Sequence, residues 1–120
     1  MAGKEYTVLV VEDVDEISAN MSAALDKRGH RVVHASNAED AIAVAEHDHP
    51  AMILTDSELP TFEKLMRLLR AHVTLKNMIV AVIDINNLKV SDQSVNVVAD
   101  FQALDDLLRS SDGEQERPTG

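Results

Sequence analysis

Five short runs of aliphatic residues, most of them β-branched, constrain this chain more than any other feature. They are Thr7–Val11, Arg31–Ala35, Ala51–Thr55, Met78–Ile83 and Val95–Val98. Several have no polar residue on alternate positions. A strand with one wet face alternates polar and apolar residues, whereas a strand buried on both faces does not. Continuous aliphatic strands therefore point to a parallel sheet covered on both sides. Aromatic residues make up only 2% of the chain, with Tyr6, Phe62 and Phe101 as the full set. The core must be built from Val, Leu, Ile, Met and Ala.

Amphipathic segments separate the runs. Between Glu16 and Arg28, the residues Ile17, Met21, Ala24 and Leu25 share one helical face, and Gly29 suits the left-handed position that ends a helix. Asn37 is a candidate N-cap for a helix whose stripe is Ala41, Ile42 and Ala45, and Pro50 closes the turn that follows. Thr61 is a candidate cap for a third helix with the stripe Phe62, Leu65, Met66 and Leu69. Phe101, Leu104, Leu107 and Leu108 mark a last one. Between the fourth and fifth runs only Asn86–Ser91 can be helical, so this crossover is expected to be short or irregular.

Alternating strand and helix imply right-handed crossovers and a layered α/β sandwich. Five strands suit the flavodoxin-like, doubly wound order 2-1-3-4-5. One domain over residues 1–109 is expected, followed by a polar, disordered tail or linker start over 110–120.

In such a sheet, ligands bind beyond the carboxyl ends of strands one and three, where the order reverses. Glu12 and Asp13 follow the first strand, and Asp56 follows the third. Chain order alone thus gathers three carboxylates. At an effective dielectric near 20, two charges ~5 Å apart repel by roughly 3 kcal/mol. The cluster must protonate or hold a cation. Oxygen-only ligands suit magnesium, or manganese or calcium. A magnesium ion on few carboxylates keeps positions open for phosphate oxygens, and Asp56 beside it could act as a nucleophile and form an acyl phosphate.

Composition narrows the partners. With a net charge of −10, the chain is repelled by nucleic-acid backbones and anionic membranes. It has no cysteine, so neither a disulfide framework nor a thiolate site is available. No stretch approaches the ~20 apolar residues that span a bilayer, the N-terminus lacks a signal-peptide core, and a cytoplasmic location is expected. The five histidines show no ligand pattern and read as solvated or edge positions. Asp105-Asp106 and the basic residues Lys64, Arg67 and Arg70 read as solvated helix faces.

The residues from Thr7 to Pro60 resemble the receiver domain of two-component response regulators. Val8-Leu9-Val10-Val11-Glu12-Asp13 is similar to that family's first strand and acidic pair, and Ile53-Leu54-Thr55-Asp56-Ser57-Glu58-Leu59-Pro60 to its phospho-acceptor strand. The resemblance implies that Asp13 binds magnesium directly, that Glu12 acts through water, and that the Glu58 carbonyl is a further ligand. Asp56 would accept a phosphoryl group from the phosphohistidine of a partner histidine kinase.

The second half departs from the pattern. The family has a Thr or Ser at the end of strand four, where this chain offers Ile83, or Asp84 if the register slips by one. Asp84 also reads as a fourth crevice acid or as the cap of the Asn86–Ser91 turn. The family's strand-five Lys and Pro are replaced by Ala99 and Asp100. Lys89 is a conceivable substitute cation. The expectation is a non-enzymatic, atypical receiver that works by docking to a partner protein, with phosphorylation-driven switching impaired or absent. An alternative keeps Asp56 as a working shuttle or sink for a histidine kinase. A small magnesium-dependent phosphohydrolase is a third reading, but no acid/base or phosphate-binding cation supports it. Oligomeric state is left open, because a shortened fourth helix alters the face the family often uses for dimerisation.

Overall fold

Each aliphatic run forms a strand, and strand and helix alternate without exception over the described residues up to residue 83. A computed structural model describes residues 5–56, 60–83, 95–98 and 100–116. The elements are β1 (Thr7–Val11), α1 (Asp15–Lys27), β2 (Arg31–Ala35), α2 (Ala38–Asp48), β3 (Met52–Thr55), α3 (Phe62–Ala71), β4 (Ile79–Ile83), β5 (Asn96–Val98) and α4 (Phe101–Glu116). The sheet is parallel throughout, with order β2-β1-β3-β4-β5. The expected topology is therefore the observed one. Asn86–Ser91, Asp84, Lys89, Glu58 and Ala99 lie outside the described residues.

The sheet divides the core into two layers because neighbouring side chains on a strand point to opposite faces. Leu9, Val11, Ile53, Val80 and Val82 pack with Leu65, Met66 and Leu69 of α3 and the alanines of α2. Val8, Val10, Met52, Leu54 and Ala81 pack with Leu25 of α1 and with Leu104 and Leu108 of α4. Helices thus cover both faces, which is why the strands carry no polar alternation.

Local signals act as the sequence suggests at two helix ends. His30 N–H bonds to the Leu25 carbonyl at 3.1 Å and Gly29 N–H to that of Asp26 at 3.0 Å. Gly29 sits at φ +85°, so this is the Schellman arrangement that consumes orphan carbonyls. Asn37 Oδ1 accepts the Asp40 N–H at 2.9 Å and caps α2.

Four expectations need correction. Thr61 makes no side-chain cap on its own helix; the Ala38 N–H of α2 donates to its hydroxyl instead, at 3.1 Å. Ile17 is exposed rather than part of the buried face of α1, whose buried residue is Leu25. Helix α4 runs to Glu116, into the stretch expected to be tail; polar composition argues against burial, and Glu and Gln are nevertheless good helix formers. Asp105 and His30 are buried rather than solvated. Tyr6 N–H donates to His30 Nδ1 at 3.4 Å, which leaves Nε2 to donate to Asp105 Oδ1 at 2.8 Å. Arg28 donates to the other carboxylate oxygen at 2.7 Å. Burial pushes the Asp105 carboxyl up, but His30 and then Arg28 outweigh it and hold the group below its ordinary value. This cluster ties α4 to the start of β1 and to the α1–β2 turn.

Candidate functional site

The register of the three central strands builds the site. Val11 pairs with Ala35 on one side and Thr55 on the other, and Thr55 pairs with Val82. The next residue on each strand is therefore Glu12, Asp56 and Ile83, side by side at a strand spacing of about 4.8 Å. The two acidic clusters meet as expected. Of the two residues considered for the family's hydroxyl position, the register sets Ile83 beside Asp56.

Glu12 is only 4% exposed. Its N–H donates to the Ala35 carbonyl at 3.1 Å, extending the β1–β2 ladder by one residue. Its Oε2 accepts the Val14 N–H at 3.2 Å, while Oε1 is buried with no partner among the described residues. Burial raises the Glu12 carboxyl above its ordinary value; the Val14 amide opposes the shift, and the charges of Asp56 and Asp13 add to it. The three carboxylates therefore share one electrostatic field. Asp13 is exposed and Asp56 half-buried, so the cluster opens to solvent on the side away from Glu12.

Thr55 was not singled out by its sequence. It is fully buried, and its hydroxyl donates to the Val11 carbonyl at 3.0 Å. That bond fastens the end of β3 to the end of β1, one residue before each acidic cluster. The only sequence signal is a hydroxyl inside an otherwise aliphatic run. Ile83 is half-buried and packs against the α1–α4 core layer, so the wall beside Asp56 is apolar.

A cleft of about 510 Å³ runs from Glu12 between α1 and α2, past Asp15, Ser18, His34, Ser36 and Asp40. His34 stands between two serines, with Nδ1 3.1 Å from Ser18 Oγ and Nε2 3.3 Å from Ser22 Oγ. Among the described residues no three His, Cys, Asp or Glu side chains are arranged to hold a metal. Two carboxylates, Asp13 and Asp56, remain as side-chain donors, with Glu12 Oε1 free to accept a hydrogen bond from a metal-bound water. This donor set fits a hydrated hard cation that takes its other ligands from backbone and solvent.

A doubly wound sheet with an acidic pair after β1 and an Asp after β3 is the arrangement of a receiver-type module. The response regulator receiver domain family matches residues 8–89, and the chain belongs to it. It is a module of two-component signal transduction. Protein PilH of Pseudomonas aeruginosa is 34% identical over 53 residues, which are 44% of this chain and 44% of PilH. The transcriptional regulatory protein AfsQ1 of Streptomyces coelicolor is 33% identical over 54 residues, 45% of this chain and 24% of that protein. The match thus spans less than half the length of either relative. Among solved structures, the receiver domain of a sensor histidine kinase from Pseudomonas aeruginosa, with magnesium coordinated in its active-site cleft, superimposes with TM-score 0.72 at 22% identity, over 89% of this chain and 97% of that one. The chemotaxis response regulator CheY4 of Vibrio cholerae gives 0.70 at 20% identity, over 88% and 98%. No helix among the described residues is long and apolar enough to cross a membrane.

Proposed function

We propose that this receiver domain acts by docking to a partner protein, with phosphorylation-driven switching impaired or absent. The observation that carries the reading is Ile83, next in register to Asp56 and packed into the core. In the family a hydroxyl at the end of the fourth strand bonds the phosphoryl group and moves with it. A packed isoleucine has no hydrogen-bonding group to follow a phosphoryl oxygen. Each charge-assisted hydrogen bond of this kind contributes about 1.5–3 kcal/mol. The sequence departures at Asp84 and Ala99 act in the same direction, adding a negative charge and removing a fixed cation.

Magnesium fits the donor set. Asp13 and Asp56 would hold it through carboxylate oxygens, Glu58 through its backbone carbonyl, and Glu12 through a bound water accepted at Oε1. The ion, when bound, neutralises the acidic cluster and orients phosphoryl oxygens. A cytoplasmic site of action, beside a histidine kinase or another signalling protein, follows from this reading.

The intact acidic cluster favours a second reading, in which Asp56 serves as a phosphoryl shuttle or sink. The histidine N–P bond would break as a bond forms from phosphorus to an Asp56 carboxylate oxygen, and the imidazole would take up a proton. One experiment separates the two. The chain is incubated with magnesium and a small phosphodonor, with Asp56→Asn as control, and followed by mass and by NMR. Normal labelling rates with a large conformational change contradict impaired switching; a labile phosphoryl adduct on Asp56 without conformational change supports the shuttle.

A further inference from the structure

The residues on either side of Asp56–Pro60 are both threonines whose hydroxyls bond outside their own element. Thr55 Oγ1 donates to the Val11 carbonyl at 3.0 Å and is fully buried. Val11 is the residue before Glu12-Asp13, so this bond sets the end of β3 against the end of β1. Thr61 Oγ1 accepts the Ala38 N–H at 3.1 Å. Ala38 is the first residue of α2, and its N–H is one of the donors a helix cannot satisfy internally. Asn37 satisfies Asp40, so the Ala38 N–H is left for Thr61. The Lys64–Glu39 ion pair repeats the link from α3 to α2 one turn further along.

We infer that Thr55 and Thr61 are positioning residues: one sets the end of β3, and with it Asp56, against β1, and the other sets the start of α3 against α2, on the side of the cleft where Glu12 and Asp13 stand. The inference rests on reading Asp13 and Asp56 as magnesium ligands. Magnesium demands near-ideal octahedral geometry with ligand distances of about 2.0–2.1 Å. Anchoring the residue before Asp56 to β1, and the start of α3 to α2, narrows the range of separations between Asp56 and Asp13. Loss of groups that orient metal ligands typically weakens metal binding about 10–100-fold.

The test titrates the full chain with magnesium ion alone, following the Asp13 and Asp56 signals by NMR. Thr55→Val and Thr61→Val remove a hydroxyl with little change of shape; Thr55→Ser and Thr61→Ser keep it. Arg28→Met is the control, since it loosens the distant Asp105 cluster and so lowers stability away from the site. Each valine variant is expected to bind magnesium about tenfold more weakly, each serine variant as the wild type does, and Arg28→Met unchanged. Wild-type affinity in both valine variants, failure of serine to restore it, or an equal loss in Arg28→Met overturns the inference.

If the wild type itself binds no magnesium, the metal reading fails and the inference is judged by hydrogen exchange of the Asp56 amide without metal. Acceleration of about tenfold in the valine variants, reversed by serine, supports the anchoring role. Unchanged exchange removes it.

Discussion

Replacing Asp105 by Asn tests whether the buried cluster at the amino ends of β1 and β2 holds α4 in place. The substitution keeps the shape and removes the charge that Arg28 and His30 bind at 2.7 and 2.8 Å. Each hydrogen bond to a charged group contributes about 1.5–3 kcal/mol. The Arg28 side chain is 34% exposed, so water takes back part of its solvation, whereas the His30 side chain at 4% recovers almost none. The expected loss is about 2–3 kcal/mol at pH 7. For 120 residues, an unfolding entropy near 2.1 cal/mol/K per residue converts this to a fall in Tm of roughly 8–12 °C.

The pH dependence of this effect has a definite sign. The Asp105 carboxyl is held below its ordinary value of 3.8. Its contribution is therefore complete above the unfolded-state pKa and is lost as pH falls through the lower folded-state value. Thermal denaturation followed by circular dichroism from pH 3 to pH 8 should show a full gap between the two proteins at neutral pH. The gap should narrow only below about pH 4. A gap under roughly 0.5 kcal/mol at pH 7, within the range of ordinary surface substitutions, refutes the reasoning. So does a gap that stays constant down to pH 3.

Glu12→Gln should stabilise the metal-free protein by about 1 kcal/mol at pH 7, because it removes a buried charge whose Oε1 lacks a partner. Its raised pKa means that the wild type loses stability as pH rises through the folded-state value, so denaturation curves of the two should converge in acid and separate toward neutrality. Ile83→Thr supplies a hydroxyl beside Asp56 at a stability cost of about 1–2 kcal/mol. It should enlarge the NMR shift changes that follow phosphodonor treatment; identical changes in the two proteins mean that Ile83 does not limit switching.

The strands were legible because a continuous aliphatic run such as Val8–Val11 has few alternatives to a doubly covered parallel strand. With the order of the elements known, the meeting of Glu12 and Asp13 with Asp56 followed from chain order. Asn37 and Gly29 were legible because caps are local chemistry. Asp105 was not. Its surroundings come from Arg28 and His30, 77 and 75 residues away, and a helical carboxylate looks the same in sequence whether water or an arginine faces it. Thr61 failed for a related reason, since its hydroxyl had an eligible partner in its own helix and found one in α2. Ile83 and Asp84 could not be separated from sequence because a one-residue slip exchanges them. The Thr55–Val82 pairing places Ile83 next in register to Asp56.

The half-buried isoleucine beside Asp56 also alters the medium in which the acids interact. Coulomb energies scale inversely with the effective dielectric, and a hydrocarbon wall packed into the core polarises far less than a hydroxyl with its attendant water. Asp56 and the acids on its other side, Glu12 and Asp13, therefore repel one another more strongly beside this wall than beside a wet one, and an incoming divalent ion is attracted more strongly as well. Whatever Ile83 removes from the recognition of a phosphoryl group, it lowers the free-cation concentration at which the charge of the cleft is neutralised.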